Sequence, residues 1–360
     1  MYIKSLTLEN FRNYDRQSVL FHPGVNILIG DNAQGKTNLI EAIYMMSFAK
    51  SFRTQKDRET INFNKDYAKI EAVIVNDDEE QPFSMLIKPD GKYISYNGIK
   101  VSKMAELLEK VYVVIFSPED LKLVKDSPDK RRKFIDRELS KLRPSYYENL
   151  YNYKKVLKQR NAYLKEDSIQ TDILRIWDYK LAEYGAEIIN KRNEFIKKIE
   201  KVSSDIHSSI TSGKETLTVE YEANISPASQ LKQAFLAETE KTLEKDLSQR
   251  TTSRGPHKDD LKICINGVDI RHFGSQGQQR TAALSLKLAE IKLIKELTGE
   301  DAVLLLDDVL SELDKSRQSY LVNCLNQVQI FITTTEISQD VADSFPEGVT
   351  YRIKNGKIAE

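Results

Sequence analysis

Between positions 30 and 37 the chain carries a glycine-framed loop whose residue types bind nucleotide phosphates. The loop matches the pattern G-x-x-x-x-G-K-[ST] and consists of Gly30, Asp31, Asn32, Ala33, Gln34, Gly35, Lys36 and Thr37. In such loops backbone N–H groups cradle the phosphates, the lysine reaches the β- and γ-phosphates, and the terminal hydroxyl holds Mg²⁺. We therefore predict a nucleoside triphosphate site in which Lys36 is also catalytic and Asn38 is a further binding residue.

The residues around this loop predict the strand–loop–helix setting that the pattern requires. An apolar run occupies positions 25–29, and a helical pattern occupies positions 38–46. The amino end of a helix adds its own N–H groups and its dipole to a phosphate site. A plain glycine turn before a helix is the alternative, and the strand and helix on either side disfavour it.

A pair of acids further along the chain would complete such a site. Four apolar residues at 303–306 are followed by Asp307 and Asp308. At the carboxyl edge of a parallel strand, Asp307 can hold Mg²⁺, and Asp308 can orient or deprotonate the attacking water. Acid pairs after an apolar strand are common, so this prediction depends on the phosphate-binding loop upstream. Asp314, a few residues later, suits the N-cap of the next helix.

A second polar loop with glycine opens the long apolar helix that we predict at 281–296. Its expected nucleotide-binding residues are Ser275, Gln276, Gly277, Gln278 and Gln279. A loop of this kind at a helix N-terminus can bind an anion. One nucleotide does not need two triphosphate cradles in one chain, so we expect this loop to cap the γ-phosphate of a nucleotide held by another copy. A plain capped helix start is the alternative.

The bulk composition limits the class of protein. The chain has 360 residues, of which 40% are hydrophobic, and its formal net charge is zero. This length fits two or three domains, or one large domain with an insertion. The neutral balance excludes a polycation, so any nucleic-acid binding must rely on local basic patches. Cys264 and Cys324 lack the spacing of a zinc or disulfide site and indicate buried free thiols. We see no signal peptide or membrane-spanning stretch and predict a cytoplasmic protein.

The order of elements predicts an α/β head interrupted by a helical insertion. Strands are predicted within 2–29, 67–101 and 111–116, and again at 217–221, 261–265, 302–306 and 329–333. From 129 to about 210 the chain is rich in charge and has helical spacing, and apolar residues from Trp177 to Ile206 follow a period near 3.5. A helical hairpin or arm of roughly 30 Å or more fits this segment at 1.5 Å per residue. An ordinary helical subdomain fits it equally well.

Together these motifs resemble an ABC-type ATPase head of the SMC group and, more narrowly, the RecF family of bacterial recombination mediators. The matching segments are 8–14, 30–37, 51–54, 255–260, 273–281 and 304–314. The likeness covers nearly the whole chain and is weakest between 165 and 250. It implies an α/β fold, namely an ABC/SMC-like P-loop ATPase head with an inserted helical arm domain. The implied boundaries are 1–118 and 254–360 for the head and 119–253 for the arm (lobe II).

The resemblance also implies ATP and Mg²⁺ as cofactors and a role for each motif residue. Gly30, Gly35, Lys36 and Thr37 would form the Walker A loop, Asp307 and Asp308 the Walker B pair, and Ser275 to Gln279 a signature loop acting in trans. Asp314 would be the D-loop residue at a dimer interface. Two departures suggest slow hydrolysis. The second acid is an aspartate, and hydroxyl residues at 333–335, which can bond the γ-phosphate, replace a switch histidine. ATP would then act mainly as a switch in a weak, DNA-stimulated ATPase.

The partners implied by the resemblance are DNA and other mediator proteins, with no membrane. The chain would form an ATP-dependent homodimer that binds duplex DNA and junctions between single-stranded and double-stranded DNA. With mediators of the RecO/RecR type it would help to load recombinase at gaps. The alternatives are a transporter-type ABC ATPase, which a longer insert and an atypical signature disfavour, and a nucleotide-binding scaffold without turnover, which the intact acid pair disfavours.

Basic residues in the predicted arm are candidates for DNA contact. They form three groups: Lys122, Lys125, Lys130, Arg131, Arg132, Lys133 and Arg137; Lys154, Lys155, Lys158 and Arg160; and Lys191, Arg192, Lys197, Lys198 and Lys201. Acids interleave all three groups, so a solvated helix face is the simpler explanation for any single lysine. Contacts to phosphates would make binding depend steeply on salt and little on sequence.

Overall fold

The computed structural model describes residues 1–310, 317–318, 320–321, 328–335, 345 and 347–359. Contacts along the chain divide it into two compact units. The first, which we call the head, contains Met1–Asp120 and Glu290–Glu360, and the second, the arm unit, contains Leu121–Ala289. Within the described ranges, the helices are too short or too polar to cross a membrane.

The amino-terminal strands of the head form an antiparallel sheet in the order β2-β1-β4-β5-β6-β7. These strands are β1 (Tyr2–Phe11), β2 (Tyr14–Leu20), β4 (Ala68–Asn76), β5 (Glu79–Lys88), β6 (Gly91–Tyr96) and β7 (Ile99–Val101). Residues alternate between a buried and an exposed face, as in β4, where Ile70 and Ile74 are buried. The turn between β6 and β7 is Asn97-Gly98, both with positive φ, which suits a two-residue hairpin. The strands predicted within 67–101 are confirmed.

The second sheet of the head is mostly parallel and has the order β15-β14-β3-β13-β12-β8. Its strands are β3 (Val25–Ile29), β8 (Val113–Phe116), β12 (Val303–Asp307), β13 (Ile330–Thr334), β14 (Val349–Lys354) and β15 (Lys357–Ala359). Among the described strands of this sheet, only β15 pairs antiparallel, with β14. Strands such as β12 are buried along their whole length, because both faces of a parallel sheet are covered. The carboxyl ends of β3, β13 and β12 therefore meet at one edge.

Helix α1 (Lys36–Phe48) packs between the two sheets of the head and forms its core. Leu39, Ile40, Ile43 and Met45 are fully buried in one apolar cluster with residues of both sheets. Burial of each such side chain stabilises the fold by about 1.5–3 kcal/mol. Because α1 is held on two sides, the loop that precedes it has a fixed end point. A short helix, α2 (Met104–Leu108), precedes β8.

The arm unit is mainly helical. Its helices are α3 (Lys122–Lys125), α4 (Pro128–Leu142), α5 (Pro144–Tyr163), α6 (Thr171–Ile210), α7 (Leu231–Lys241), α8 (Leu243–Gln249), α9 (Ile270–Phe273) and the start of α10 (Gln276–Thr298). Helix α5 begins with a proline, which suits a first helical position and ends α4. Helices α5 and α6 pack as a hairpin, and the 40 residues of α6 span about 60 Å. The predicted helical hairpin is present as α5 and α6, and Leu181, Ile188 and Phe195 of the predicted apolar stripe are buried.

A small antiparallel sheet in the order β11-β10-β9 completes the arm unit. Its strands are β9 (Leu217–Glu222), β10 (Asp260–Ile265) and β11 (Val268–Asp269). The first division between the units lies close to the expected boundary at 118. Residues 254–289, which we assigned to the head, cluster instead with the arm unit, because β10 pairs with β9. Cys264 is a buried free thiol, as predicted, and Cys324 lies outside the described residues.

Candidate nucleotide-binding site

The phosphate-binding loop leaves the carboxyl end of β3 and continues into the first two residues of α1, Lys36 and Thr37, as predicted. Gly30 and Gly35 have φ values of +154° and +123°. A Cβ on Gly30 would lie 2.2 Å from the backbone oxygen of Ile353, so a larger residue cannot fit there. Asp31, Asn32 and Ala33 form the exposed crest of the loop, whereas Gly35 and Lys36 are buried.

Lys36 folds back over its own loop and is only 4% exposed. Its Nζ donates to the carbonyl oxygens of Gly30, at 2.6 Å, and Asp31, at 3.1 Å. An ammonium group has three N–H donors, and these two bonds engage two of them. The charge is therefore fixed inside the curve of the loop, where it can bond a phosphate oxygen with little rearrangement.

Asp307 and Thr37 meet at the edge of the parallel sheet. Oγ1 of Thr37 donates to Oδ1 of Asp307 at 3.1 Å, and Oγ1 of Thr333 donates to the same oxygen at 2.9 Å. The strand register causes this convergence, because Thr333 of β13 pairs with Asp307 on one side and Leu28 on the other. Burial raises the pKa of the Asp307 carboxyl, and the positive charge of Arg53 acts in the opposite direction.

The oxygen atoms at this edge are suitable ligands for Mg²⁺. A hydroxyl and a buried carboxylate within one hydrogen bond of each other supply the hard oxygen ligands that the ion prefers, and Mg²⁺ commonly uses one or two protein ligands with phosphate oxygens and water. Within the described residues no cluster of three His, Cys, Asp or Glu side chains could hold a metal ion. Thr37 and Asp307 stay the predicted metal ligands.

Asp308, the next residue, has an unusual backbone conformation. Its φ of +53° lies in the left-handed region, which aspartate tolerates better than most residues. Its N–H donates to Oγ1 of Thr333 at 2.8 Å, so Thr333 links both acids of the pair. Thr333 is 1% exposed and its hydroxyl is engaged by these acids. Of the three hydroxyls predicted to bond the γ-phosphate, that of Thr333 bonds the acid pair here, and Thr334 and Thr335 are the two that reach the surface.

The turn between β1 and β2 holds the phosphate-binding loop in place, a role that sequence patterns did not reveal. Nδ2 of Asn13 donates to the carbonyl of Gln34 at 2.9 Å, and the hydroxyl of Tyr14 donates to the carbonyl of Gly35 at 3.0 Å. The turn after β14 adds two bonds to Gln34, from the N–H groups of Asn355 and Gly356. These contacts fix the loop without using its crest.

A buried acid on α1 organises the adjacent basic residues. Glu41 is fully buried and accepts two bonds from Arg12, at 2.6 and 2.9 Å, and one from Ser51. Arg53 lies beside it, 3.5 Å from Glu41, and donates to Oδ1 of Asn38 at 2.7 Å. Arg53 is 43% exposed and close enough to Asp307 to affect its pKa. The predicted binding residue Asn38 therefore helps to hold the Arg53 guanidinium beside Glu41.

The signature loop, residues 275–279, begins α10 within the arm unit. Ser275 and Gln276 are exposed, and Gly277 and Gln278 are half-buried. N of Gln278 donates to Oγ of Ser275 at 3.2 Å, and N of Ser275 donates to Oε1 of Gln278 at 3.0 Å. Gln279 differs from our expectation: it is 5% exposed and its amide donates to the carbonyl of Ile270 at 2.8 Å. Its side chain braces α9, so it is not part of the exposed anion-binding surface.

Comparison with known proteins identifies the family. The family model "RecF/RecN/SMC N terminal domain" matches residues 2–347. The "DNA replication and repair protein RecF" of Clostridium perfringens is 48% identical over 359 residues, covering 99% of each chain. The protein of the same name from Clostridioides difficile is 45% identical, covering 99% of this chain and 98% of that one. This chain belongs to the RecF family.

Solved structures agree with this family assignment. A structure of the recombination mediator protein RecF with ATP, in the RecFOR pathway, matches with a TM-score of 0.91 and 38% identity. The match covers 99% of this RecF-family chain and 97% of the chain in the solved structure. An Smc head bound to the C-winged helix domain of ScpA matches with a TM-score of 0.60 at 17% identity, which supports the fold alone. The predicted α/β head of the SMC type is confirmed.

Residues 255–260, one of the segments that carry the resemblance, tie the arm unit together. Asp259 is fully buried and accepts bonds from Arg192, Tyr221 and the N–H of Asn224. Asp260 accepts two bonds from Arg131, at 2.6 and 3.0 Å. This RecF-family segment therefore has a structural role within the arm unit.

Three of the basic residues that we considered for DNA contact are internal. Arg131, Arg160 and Arg192 are at most 2% exposed and pair with buried or half-buried aspartates. Burial opposes ionisation of Arg192, but the charge of Asp136 and further groups around it hold its pKa well above the ordinary value. These arginines support the arm unit and cannot lie on a DNA-facing surface. Lys133 and Lys154 are exposed at 59% and 61% and remain candidates. Asp314 lies outside the described residues.

Proposed function

We propose that this chain is an ATP-dependent DNA-binding protein of recombinational repair and replication restart. ATP drives formation of a homodimer and is hydrolysed slowly. The observation that carries the proposal is the contact between Thr37 and Asp307, which brings the Walker A and Walker B motifs to one edge of the sheet. The names of the relatives support the role in repair, since RecF of Clostridium perfringens is 48% identical over the whole chain.

Each residue of the site has a distinct task in this proposal. Lys36 and the loop N–H groups bind the phosphates, and Thr37 with Asp307 would hold Mg²⁺. A bound Mg²⁺ would neutralise charge on the β- and γ-phosphate oxygens. Asp308 orients the attacking water or accepts its proton. Aspartate is one methylene shorter than glutamate, which favours slow turnover.

The signature loop supplies the contact that makes the dimer depend on ATP. Ser275 is exposed at the amino end of α10, where its hydroxyl and the following N–H groups can bond the γ-phosphate held by a partner. ADP lacks this phosphate, so it cannot bridge the two subunits. A ligand shifts an equilibrium only by its different affinity for the two states, and the γ-phosphate provides that difference here.

DNA binding would rely on phosphate contacts. Exposed lysines of the arm unit such as Lys133 and Lys154 offer such contacts, and the zero net charge of the chain means that binding depends on local patches. Binding of duplex DNA or of a junction should fall steeply with salt. The RecFOR pathway named for a structure 38% identical to this chain supports partners of the RecO/RecR type.

The solution mass of the protein tests the proposal. We expect a monomer with ADP, a dimer with ATP and Mg²⁺, and a further DNA-bound dimer when duplex DNA is added. Turnover measured in the same samples separates a slow ATPase from a scaffold that does not hydrolyse. An unchanged mass with all three additions would contradict the ATP-driven dimer.

Mixing two inactive variants tests whether the site is shared between subunits. Lys36→Met loses the phosphate-binding charge, and Ser275→Arg places a bulky cation in the signature loop. Each variant should fail alone, whereas the mixture should recover about one working site per heterodimer. Loss of ATP binding by the Ser275→Arg monomer would place the loop in cis, and no recovery despite heterodimers would argue against a shared site.

A further inference from the structure

A carboxylate outside the motifs contacts the signature loop. Glu215 lies in the turn between α6 and β9, and its Oε1 accepts a hydrogen bond from Nε2 of Gln278 at 2.9 Å. Its Oε2 lies 3.1 Å from Nε2 of His207, which is in the last turn of α6. We propose that Glu215 is a positioning residue that orients the signature loop and connects it to the end of the long helix of the arm.

The contact matters because Gln278 sets the conformation of Ser275. The two residues form a reciprocal cap in which each backbone N–H bonds the other side chain. Oε1 of Gln278 is used in this cap, so the amide orientation is fixed and Nε2 must point the other way. Glu215 accepts the bond from that Nε2. In this arrangement Oγ of Ser275 accepts a hydrogen bond from the N–H of Gln278. The Ser275 O–H is therefore directed toward a different acceptor.

Glu215 itself is held from two sides. The next residue, Thr216, exchanges two hydrogen bonds of 2.9 Å with Asn266 in the turn after β10. His207 is fully buried and its Nδ1 lies 3.2 Å from Oγ of Ser285 on α10. The carboxylate is only 23% exposed. A partly buried, fixed carboxylate makes a stronger hydrogen bond to an amide than a freely solvated one.

This arrangement connects the end of the arm helix to the signature loop. Helix α6 ends at Ile210, and His207, Glu215 and Gln278 form a continuous chain of bonds from its last turn to the cap of α10. A shift of the end of α6 would therefore alter the bond that holds Gln278. The inference rests on the proposed function, because it requires that Ser275 bonds the partner's nucleotide.

Replacement of Glu215 separates this role from a structural one. Glu215→Ala removes the acceptor for Gln278, and Glu215→Gln keeps an acceptor oxygen but loses the charge. We expect Glu215→Ala to raise the protein concentration needed for ATP-dependent dimerisation about tenfold or more, because a charged hydrogen bond is lost. Affinity of the monomer for ATP should stay within about twofold. Glu215→Gln should recover part of the loss. Glu220→Ala, which removes an exposed carboxylate on β9, is the matched control.

Mixed dimers identify the half-site that Glu215 serves. The mixtures are measured at a protein concentration at which Glu215→Ala alone does not dimerise. There, Glu215→Ala with Lys36→Met should regain turnover, because the first keeps its Walker A loop and the second keeps its signature loop. Glu215→Ala with Ser275→Arg should stay inactive, because the signature loop is impaired in both. Recovery in the second mixture, or normal dimerisation of folded Glu215→Ala while Ser275→Arg fails, would overturn the inference alone. Normal dimerisation of both single variants would overturn the proposed function as well. If Glu215→Ala does not fold, Glu215→Gln carries the test, and parental behaviour of that variant in dimerisation and in mixtures would reject the role.

Discussion

The hydroxyl of Thr37 lies 3.1 Å from the carboxylate of Asp307, although 270 positions separate the two residues in the chain. The whole arm unit is inserted between them. The contact forms because β3 and β12 flank β13 in one parallel sheet, so their carboxyl ends meet at the same edge. This is the crevice where open α/β sheets bind ligands. An insertion can be long without disturbing the contact, since the strand order and the loop and helix that follow β3 determine it.

Mutation should distinguish the roles of the two acids at the carboxyl end of β12, Asp307 and Asp308. Asp308→Asn keeps the shape of the side chain but removes the charge that orients water, so the ATP-bound dimer should persist while turnover falls by about 100-fold or more. Asp307→Asn should in addition weaken Mg²⁺-dependent ATP binding. Asp301→Asn, which breaks an exposed pair with Lys295, is the control and should change neither quantity. Parental turnover by Asp308→Asn would show that another group activates the water.

The glycine of the turn after β14 should affect ATP binding at a distance. Gly356 has φ +68°, and a Cβ there would lie 2.3 Å from the carbonyl oxygen of Asn13, which holds the phosphate-binding loop. Gly356→Ala should therefore displace Asn13 and lower ATP affinity. Gly98→Ala is matched, because Gly98 has φ +75° but open space around its Cβ position. Titration of ATP against both variants checks this prediction, and equal affinities would contradict it.

The sequence predicted the parts of the site that depend on local pattern. The phosphate-binding loop requires only a strand, a turn and a helix, and consecutive residues around Lys36 carry the pattern of all three. The apolar run before Asp307 likewise predicts a buried strand. The roles of Asn13, Tyr14 and Glu41 were not predictable, because their partners are distant in the chain and their residue types are ordinary on a surface.

The burial of charged side chains is the feature that the sequence predicted least well. A run of basic residues in a helix predicts a solvated or DNA-facing surface, yet Arg131, Arg160 and Arg192 are internal. Each is compensated by aspartates from other elements, such as Asp246 and Asp259, and only the folded topology brings these together. The same topology pairs β10 with β9, which explains why the boundary of the arm unit lies later than expected.

Removal of one partner from this buried network should destabilise the arm unit. Asp259→Asn leaves the Arg192 guanidinium with only one of its two carboxylate partners, and breaking a buried ion pair in this way costs about 3–5 kcal/mol. Asp172→Asn removes a carboxylate that is 88% exposed at the start of α6 and should have almost no effect. Denaturant unfolding of the two variants measures the difference. Equal midpoints would show that Asp259 contributes little to stability.

His257 should make the stability of the arm unit depend on pH. Burial lowers the pKa of His257 to about 4, although the bond to the carbonyl of Thr252 at 3.0 Å acts in the opposite direction. The other ring nitrogen lies 2.7 Å from the hydroxyl of Tyr153. Arg132 and Lys258 also disfavour a second positive charge there, while Asp246 acts in the opposite direction.

The direction in which stability changes with pH follows from the number of protons bound by the folded and unfolded states. With an ordinary pKa near 6.5 in the unfolded chain, the unfolded state binds more protons than the folded state between about pH 6.5 and pH 4, so stability falls as the pH falls through this window. Between about pH 7.5 and pH 5 the loss is about 2 kcal/mol. His257→Gln keeps a donor and an acceptor but cannot titrate, so its unfolding free energy should fall less over the same interval. Because carboxylates titrate in both proteins, the difference between the two pH profiles isolates His257. Parallel profiles would show that the ring titrates normally in the folded protein.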